Sequence, residues 1–211
     1  MEDTNLSRSE IKKNRATQAV KRKAIKKIVL VFLVVIALVA LIVWIISQTA
    51  SRQENLPGVY YPSVGQEHIA LNANPPTPYT SNPPSSGGHF GQPANWRIYD
   101  YEVNDKIFIH NLEHGGIWIA YKPDVSVQVV EDLKSIVSEF GGSKFVMAPR
   151  SANDADIVVV AWTRVLKFDV SGEALTDVEI DQISAFYRAF KNRGPEFVPD
   201  TMPGIDPKST K

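Results

Sequence analysis

The feature that most restricts this chain is a run of nineteen residues, Ile28 to Ile46, that holds no charge and consists only of Val, Ile, Leu, Phe, Ala and Trp. Sixteen of the nineteen are Val, Ile, Leu or Phe, and each of these favours insertion at a bilayer centre by roughly 0.3–0.6 kcal/mol. As a helix rising ~1.5 Å per residue the run is about 28 Å long, close to the thickness of a membrane's hydrocarbon layer. Lys21, Arg22, Lys23, Lys26 and Lys27 crowd its amino-terminal end, whereas only Arg52 lies near the other. Cations favour the cytoplasmic side, so this asymmetry predicts a cytoplasmic amino terminus and a body outside the cell membrane, with Trp44 as an interfacial anchor. A cleaved signal peptide is the competing reading. Its apolar core usually spans ~7–15 residues and ends in an A-x-A-like site, to which Ser47-Gln48-Thr49-Ala50 is a poor match, so the expectation is an uncleaved signal-anchor.

The 211 residues suit one medium domain with an appendage. The expected layout is a basic cytoplasmic tail over 1–27, a transmembrane helix over 28–46, a linker over 47–66, an α+β extracytoplasmic domain over 67–197 and a carboxy-terminal tail over 198–211. The zero net charge is an average of unlike parts: residues 1–27 carry nine Lys/Arg against three Asp/Glu, and the rest carry fourteen against twenty. A body of charge −6 lacks the basic face that nucleic-acid binding needs, so the membrane is the expected partner. With no cysteine, disulfides, iron–sulfur clusters and thiolate zinc sites are excluded.

Within the body, Glu67 to Leu71 predicts a short strand. The proline- and glycine-rich stretch from Pro75 to Gly88 predicts an ordered loop wrapped on the body, since Tyr79, Phe90 and Trp96 offer it packing anchors. Lys106 to His110 and Ile117 to Tyr121 read as a β-hairpin joined through Asn111 to Gly116. Val129, Val130, Leu133, Ile136, Val137 and Phe140 recur with helical period, predicting a helix from the N-cap Asp124 to Gly141. Lys144 to Ala148 and the run Ile157 to Phe168 follow as strands, the latter covered on both faces at Ile157–Trp162. Thr176 and Glu179 have capping-box spacing ahead of the stripe Ile180, Ile183, Phe186, Tyr187 and Phe190, and Gly194-Pro195 stops that helix. The expected order is β-β-α-β-β-α, an α+β sheet with two helices on one face.

All four histidines lie between residues 68 and 114. His110-Asn111-Leu112-Glu113-His114 matches H-x-x-E-H, which on a helix sets two imidazoles on one face to hold zinc beside a glutamate base. The β-like reading of Lys106 to Ile109 argues against that helix. A looser site is expected instead, with a turn aiming His110 and His114 together and Glu113 and His89 completing three or four N/O ligands for Zn²⁺ or Cu²⁺. Beside it stands a metal-free reading, in which the histidines hydrogen-bond backbone groups and pin the long loop. Ser85-Ser86 next to His89 resembles a nucleophile beside a base, but without an acid partner or a strand-turn-helix elbow it reads as a turn.

Pro83-Pro84-Ser85-Ser86-Gly87-Gly88-His89, the core His110 through Gly116, Ala148-Pro149, Ala161-Trp162, Tyr187-Arg188 and Gly194-Pro195-Glu196 together resemble the bacterial family called domain of unknown function 3105. The resemblance spans roughly residues 65 to 197. The first motif departs from the family's usual Thr-Ser-Gly-Pro-His-Tyr. The resemblance implies an amino-terminal membrane anchor and a domain identity, with no activity attached. The functional expectations are therefore a membrane-anchored domain binding a divalent metal, a metal-free binding or scaffold module, or an exported hydrolase.

Overall fold

The computed structural model describes residues 8–54 and 56–210. Of the basic tail, residues 1–7 lie outside the described residues. The chain forms two compact units, Met1–Asn55 and Leu56–Lys211. The described part of the first is the helix α1 (Arg8–Glu54), whose segment Lys21–Ser47 is long and apolar enough to cross a membrane. The helix continues past Ile46 to Glu54, so the stretch expected as linker begins as helix.

The second unit is α+β, as the sequence predicts. Its elements are β1 (Val59–Tyr60), β2 (His68–Ile69), β3 (His89–Phe90), β4 (Arg97–Ile98), α2 (Asp105–Glu113), β5 (Ile117–Tyr121), α3 (Val127–Glu139), β6 (Phe145–Pro149), β7 (Ile157–Ala161), β8 (Arg164–Phe168) and α4 (Asp177–Phe190). Six strands form one sheet in the order β1-β8-β7-β5-β6-β4, with β4, β5 and β6 mutually parallel and the remaining pairs antiparallel. β2 and β3 form a separate parallel pair.

Side chains alternate across the sheet with the period of two that the pleat imposes. Ile117, Ile119, Phe145, Met147, Ile157 and Val159 face one way and pack with Val129, Leu133 and Ile136 of α3 and Ile183 and Phe186 of α4. These are the two helices expected on one face. Trp118, Ala120, Val146, Val158 and Val160 face the other way and meet Ile107, Phe108 and Leu112 of α2. Both faces of β5 and β7 are thus covered, and every residue of each is buried.

Three expectations are corrected. α3 is capped by Ser126, whose side chain accepts from the Val129 amide, and not by Asp124. The run Ile157 to Phe168 is a hairpin of two strands, turned at Trp162-Thr163 where Thr163 takes φ +62°. Lys106 to His110 is helix, not strand: Asn104 caps α2 by accepting from the Lys106 amide, and Asp105 sits in the first turn where the helix dipole favours a carboxylate. α2 has no polar face to betray its period, since Ile107 through Glu113 are all buried. The capping box at Thr176 and Glu179 is present as expected. The carboxy-terminal tail lies on the domain: Ile205 bridges Ala94, and its amide donates to the Pro93 carbonyl at 2.8 Å.

Candidate metal centre

The last turn of α2 carries the site. Gly115 takes φ +75°, its amide donates to the Leu112 carbonyl at 2.9 Å, and the Gly116 amide reaches back to the Asn111 carbonyl at 2.8 Å. This is a Schellman stop, which spares the helix carbonyls by using the left-handed conformation that glycine adopts without strain. It ends the helix after His110-Asn111-Leu112-Glu113 and not before, so the helical setting that the sequence reading denied to H-x-x-E-H is present. Residues four apart share a face, and the Nε2 atoms of His110 and His114 lie 3.1 Å apart. Asn111 anchors this turn, its amide group bonding both the N–H and the C=O of Ala94 at 2.9 and 2.8 Å.

The proline-rich loop supplies the opposite wall, and it is ordered. Tyr79 donates its hydroxyl to the Gly88 carbonyl at 2.6 Å, and Ser85 accepts the Thr163 amide on its carbonyl at 3.0 Å. These contacts deliver His89, fully buried, onto α2. The parallel register of β2 and β3 then sets His68 directly opposite His89. Sequence reasoning did not assign His68 to the site; a parallel pairing across twenty intervening residues leaves no local signal. Glu196 was missed for the same reason. It arrives because the segment after α4 folds back on α2, with the Glu196 amide donating to the Glu113 carbonyl at 3.0 Å. Gly194 permits this approach, since a Cβ there would stand 2.1 Å from the Glu113 carbonyl oxygen.

Six donors therefore converge. Glu113 Oε2 lies 3.0 Å from His89 Nε2 and 3.7 Å from His68 Nε2, and His114 Nε2 lies 3.1 Å from Glu196 Oε2. The rings of His68, His89 and His110 are nearly equidistant, with centroids 4.9–5.0 Å apart. His68, His89, His110 and Glu113 form one group whose ligand atoms lie within 4.8 Å of one another, and His110, Glu113, His114 and Glu196 form a second. Of the four residues expected from the sequence, His110 and Glu113 belong to both groups, His89 to the first and His114 to the second, and each group could hold a metal ion. His89, His110, Glu113 and His114 are buried, while His68 and Glu196 have about half of their side chains exposed.

The tautomers are set by the backbone. His89 Nδ1 lies 2.8 Å from the Gly87 carbonyl and His110 Nδ1 lies 2.7 Å from the Phe90 carbonyl. A carbonyl only accepts, so Nδ1 of each ring carries a proton and Nε2 of each ring faces the cluster. This anchoring also engages both nitrogens of His89, leaving none for Ser85 or Ser86. Burial, reinforced by the neighbouring His114 and His89, pushes the His110 imidazole down to about 4, although its bond to the Phe90 carbonyl opposes the shift. Burial likewise lowers His114 against the opposing pull of Glu196 and Glu113. For Glu113 burial acts to raise the carboxyl, but the hydrogen bond and charge of His89, with His110 and His68, bring it below the ordinary range. Lys144 is a buried cation close by; its ammonium donates to the carbonyls of His114, at 2.7 Å, and of Val198, and lies over the Trp96 ring.

No curated protein and no solved structure matches the chain. A family model described as Protein of unknown function (DUF3105) matches residues 71–201, more than half of the chain, a span that takes in His89, α2 and Glu196 and begins just after His68. The chain belongs to that family.

Proposed function

We propose that this protein is a single-pass membrane protein that holds a divalent metal ion, zinc or copper, in a domain displayed outside the cytoplasmic membrane. The carrying observation is the convergence of His68, His89, His110 and Glu113, whose ligand atoms all lie within 4.8 Å of one another. With Nδ1 of His89 and of His110 held against carbonyls, Nε2 of each ring faces inward, and that of His89 meets a carboxylate oxygen of Glu113 at 3.0 Å. A proton on Nε2 or a metal ion between the two atoms satisfies that contact, and three imidazoles gathered on one buried carboxylate favour the ion. A tetrahedral ion bonded at ~2.0–2.1 Å sets its ligands about 3.3–3.4 Å apart, and the contacts of 3.0 and 3.7 Å from Glu113 to His89 and His68 straddle that value. His68, His89, His110 and Glu113 would hold the ion. The donor set is nitrogen and oxygen throughout, which suits zinc or copper(II). Hydrogen bonds from His89 and His110 to the backbone would act as the outer shell that orients the ligands.

The membrane placement rests on Lys21–Ser47, long and apolar enough to span, and on the basic cluster at one end of it, which favours a cytoplasmic amino terminus. Two measurements test the proposal. A reporter fused after Lys211 is expected to be active only when exported; activity confined to the cytosol would reverse the orientation. The full-length chain, purified in detergent through a histidine-free tag, is expected to retain zinc or copper through gel filtration, and His110→Ala to lose it. A chain that keeps no metal after incubation with either ion would contradict the metal centre.

A further inference from the structure

We infer that the domain binds two divalent cations, not one, bridged by Glu113. This rests on the metal-centre reading above and extends it to a second position made by His114 and Glu196. His110 can serve one ion only. Its Nδ1 is engaged by the Phe90 carbonyl at 2.7 Å, which leaves a single lone pair, on Nε2, and one lone pair serves one ion. If that ion is the one ringed by His68, His89 and Glu113, then His114 and Glu196 remain as a further pair of donors 3.1 Å apart, again near the ligand edge of a single ion. A carboxylate has two oxygens and can serve both positions. Glu113 belongs to both ligand groups, so it is the bridge.

Access supports the same division. Each position combines buried donors with one that reaches solvent: His68, 53% exposed at its side chain, on the first, and Glu196, 56% exposed, on the second. Each ion thus has its own entry side. Centres of this kind place their ions ~3.5–4 Å apart and leave coordination positions open to bridging oxygen ligands. The second position offers two carboxylates and one imidazole, a donor set that accepts zinc or manganese. A plain hydrogen bond between His114 and Glu196 is the competing account of the same geometry, and it predicts a different metal count.

Metal stoichiometry decides the matter. The full-length chain in detergent, stripped with chelator and titrated with zinc, is expected to bind two equivalents by calorimetry and by elemental analysis. Glu196→Ala, a half-exposed position where folding should survive, is expected to bind one, as is His114→Ala. One equivalent in both wild type and Glu196→Ala would overturn the second position and leave the metal centre standing. Two equivalents retained in Glu196→Ala would overturn it as well, because its named ligand would be dispensable. No bound zinc in the wild type would sink this inference together with the reading beneath it.

Discussion

Saturating zinc is expected to raise the stability of the folded domain by about 3–4 kcal/mol, the linkage for a ligand present at 100 to 1,000 times its Kd. For a body the size of Leu56–Lys211 this corresponds to a rise in thermal midpoint of roughly 6–16 °C, reversed by chelator. The physical reason is that the donors come from distant parts of the chain: His68 and His89 from β2 and β3, His110 and Glu113 from α2. The unfolded chain does not hold them together, so an ion bound there favours only the folded state. His89→Ala and His110→Ala are expected to cut the increment by most of its size, since each removes a ligand of the buried ion. Both side chains are buried and bond carbonyls, so the variants will also melt earlier without metal. The informative quantity is the difference between melts with and without zinc. An increment unchanged in both variants would show that the ion binds elsewhere.

Acid is expected to destabilise the metal-free chain over a defined window. His110 titrates at about 4 in the folded domain against an ordinary value of 6.5, chiefly because burial disfavours its charged form. Its folded value is depressed, so the unfolded chain binds the proton more readily. The contribution to stability is therefore complete above pH 6.5 and is lost as pH falls through 4. At about 1.4 kcal/mol per pH unit the whole window amounts to about 3 kcal/mol. Glu113, also lowered in the fold, adds a loss of the same sign below its ordinary value of 4.5. Urea midpoints followed through the buried Trp118, at pH 7.5 and 4.5 in chelator, are expected to separate widely in wild type and much less in His110→Gln. Equal slopes in the two proteins would exclude His110 as the source.

What was legible in the chain follows its locality. Leu133, Ile136 and Val137, like Ile183, Phe186 and Tyr187, repeat with a helical period because α3 and α4 each bury one face only. Thr176 and Glu179 interact across three residues, so their capping box could be read directly. α2 was hidden by its own burial. With apolar, β-branched residues at Ile107 and Ile109 and no exposed stripe, it looks like a strand, and only Asn104-Asp105 and Gly115-Gly116 mark its ends. The turn at Thr163 was hidden because a β-branched residue with positive φ is not what a hairpin ordinarily uses.

The site divides in the same way. His110, Glu113 and His114 are neighbours in sequence and were recognisable as a cluster; His89 joined them through its loop. His68 depends on the β2–β3 register and Glu196 on the return of the chain past Gly194, and neither leaves a trace within a short window. The metal-free expectation also described part of what is seen, since His89 and His110 do bond backbone carbonyls of the loop. Those bonds do not compete with a metal. They use Nδ1 and turn Nε2 of each ring toward Glu113 and His114, so one arrangement both pins the loop and presents the ligands.

X-ray absorption at the metal edge of the zinc-loaded, full-length chain tests the metal centre most directly. The account predicts a first shell of nitrogen and oxygen at ~2.0–2.1 Å with the outer-shell scattering of imidazole, and a weaker imidazole signature in His89→Ala and His110→Ala. A first shell of oxygen alone, without imidazole scattering in the wild type, would contradict it.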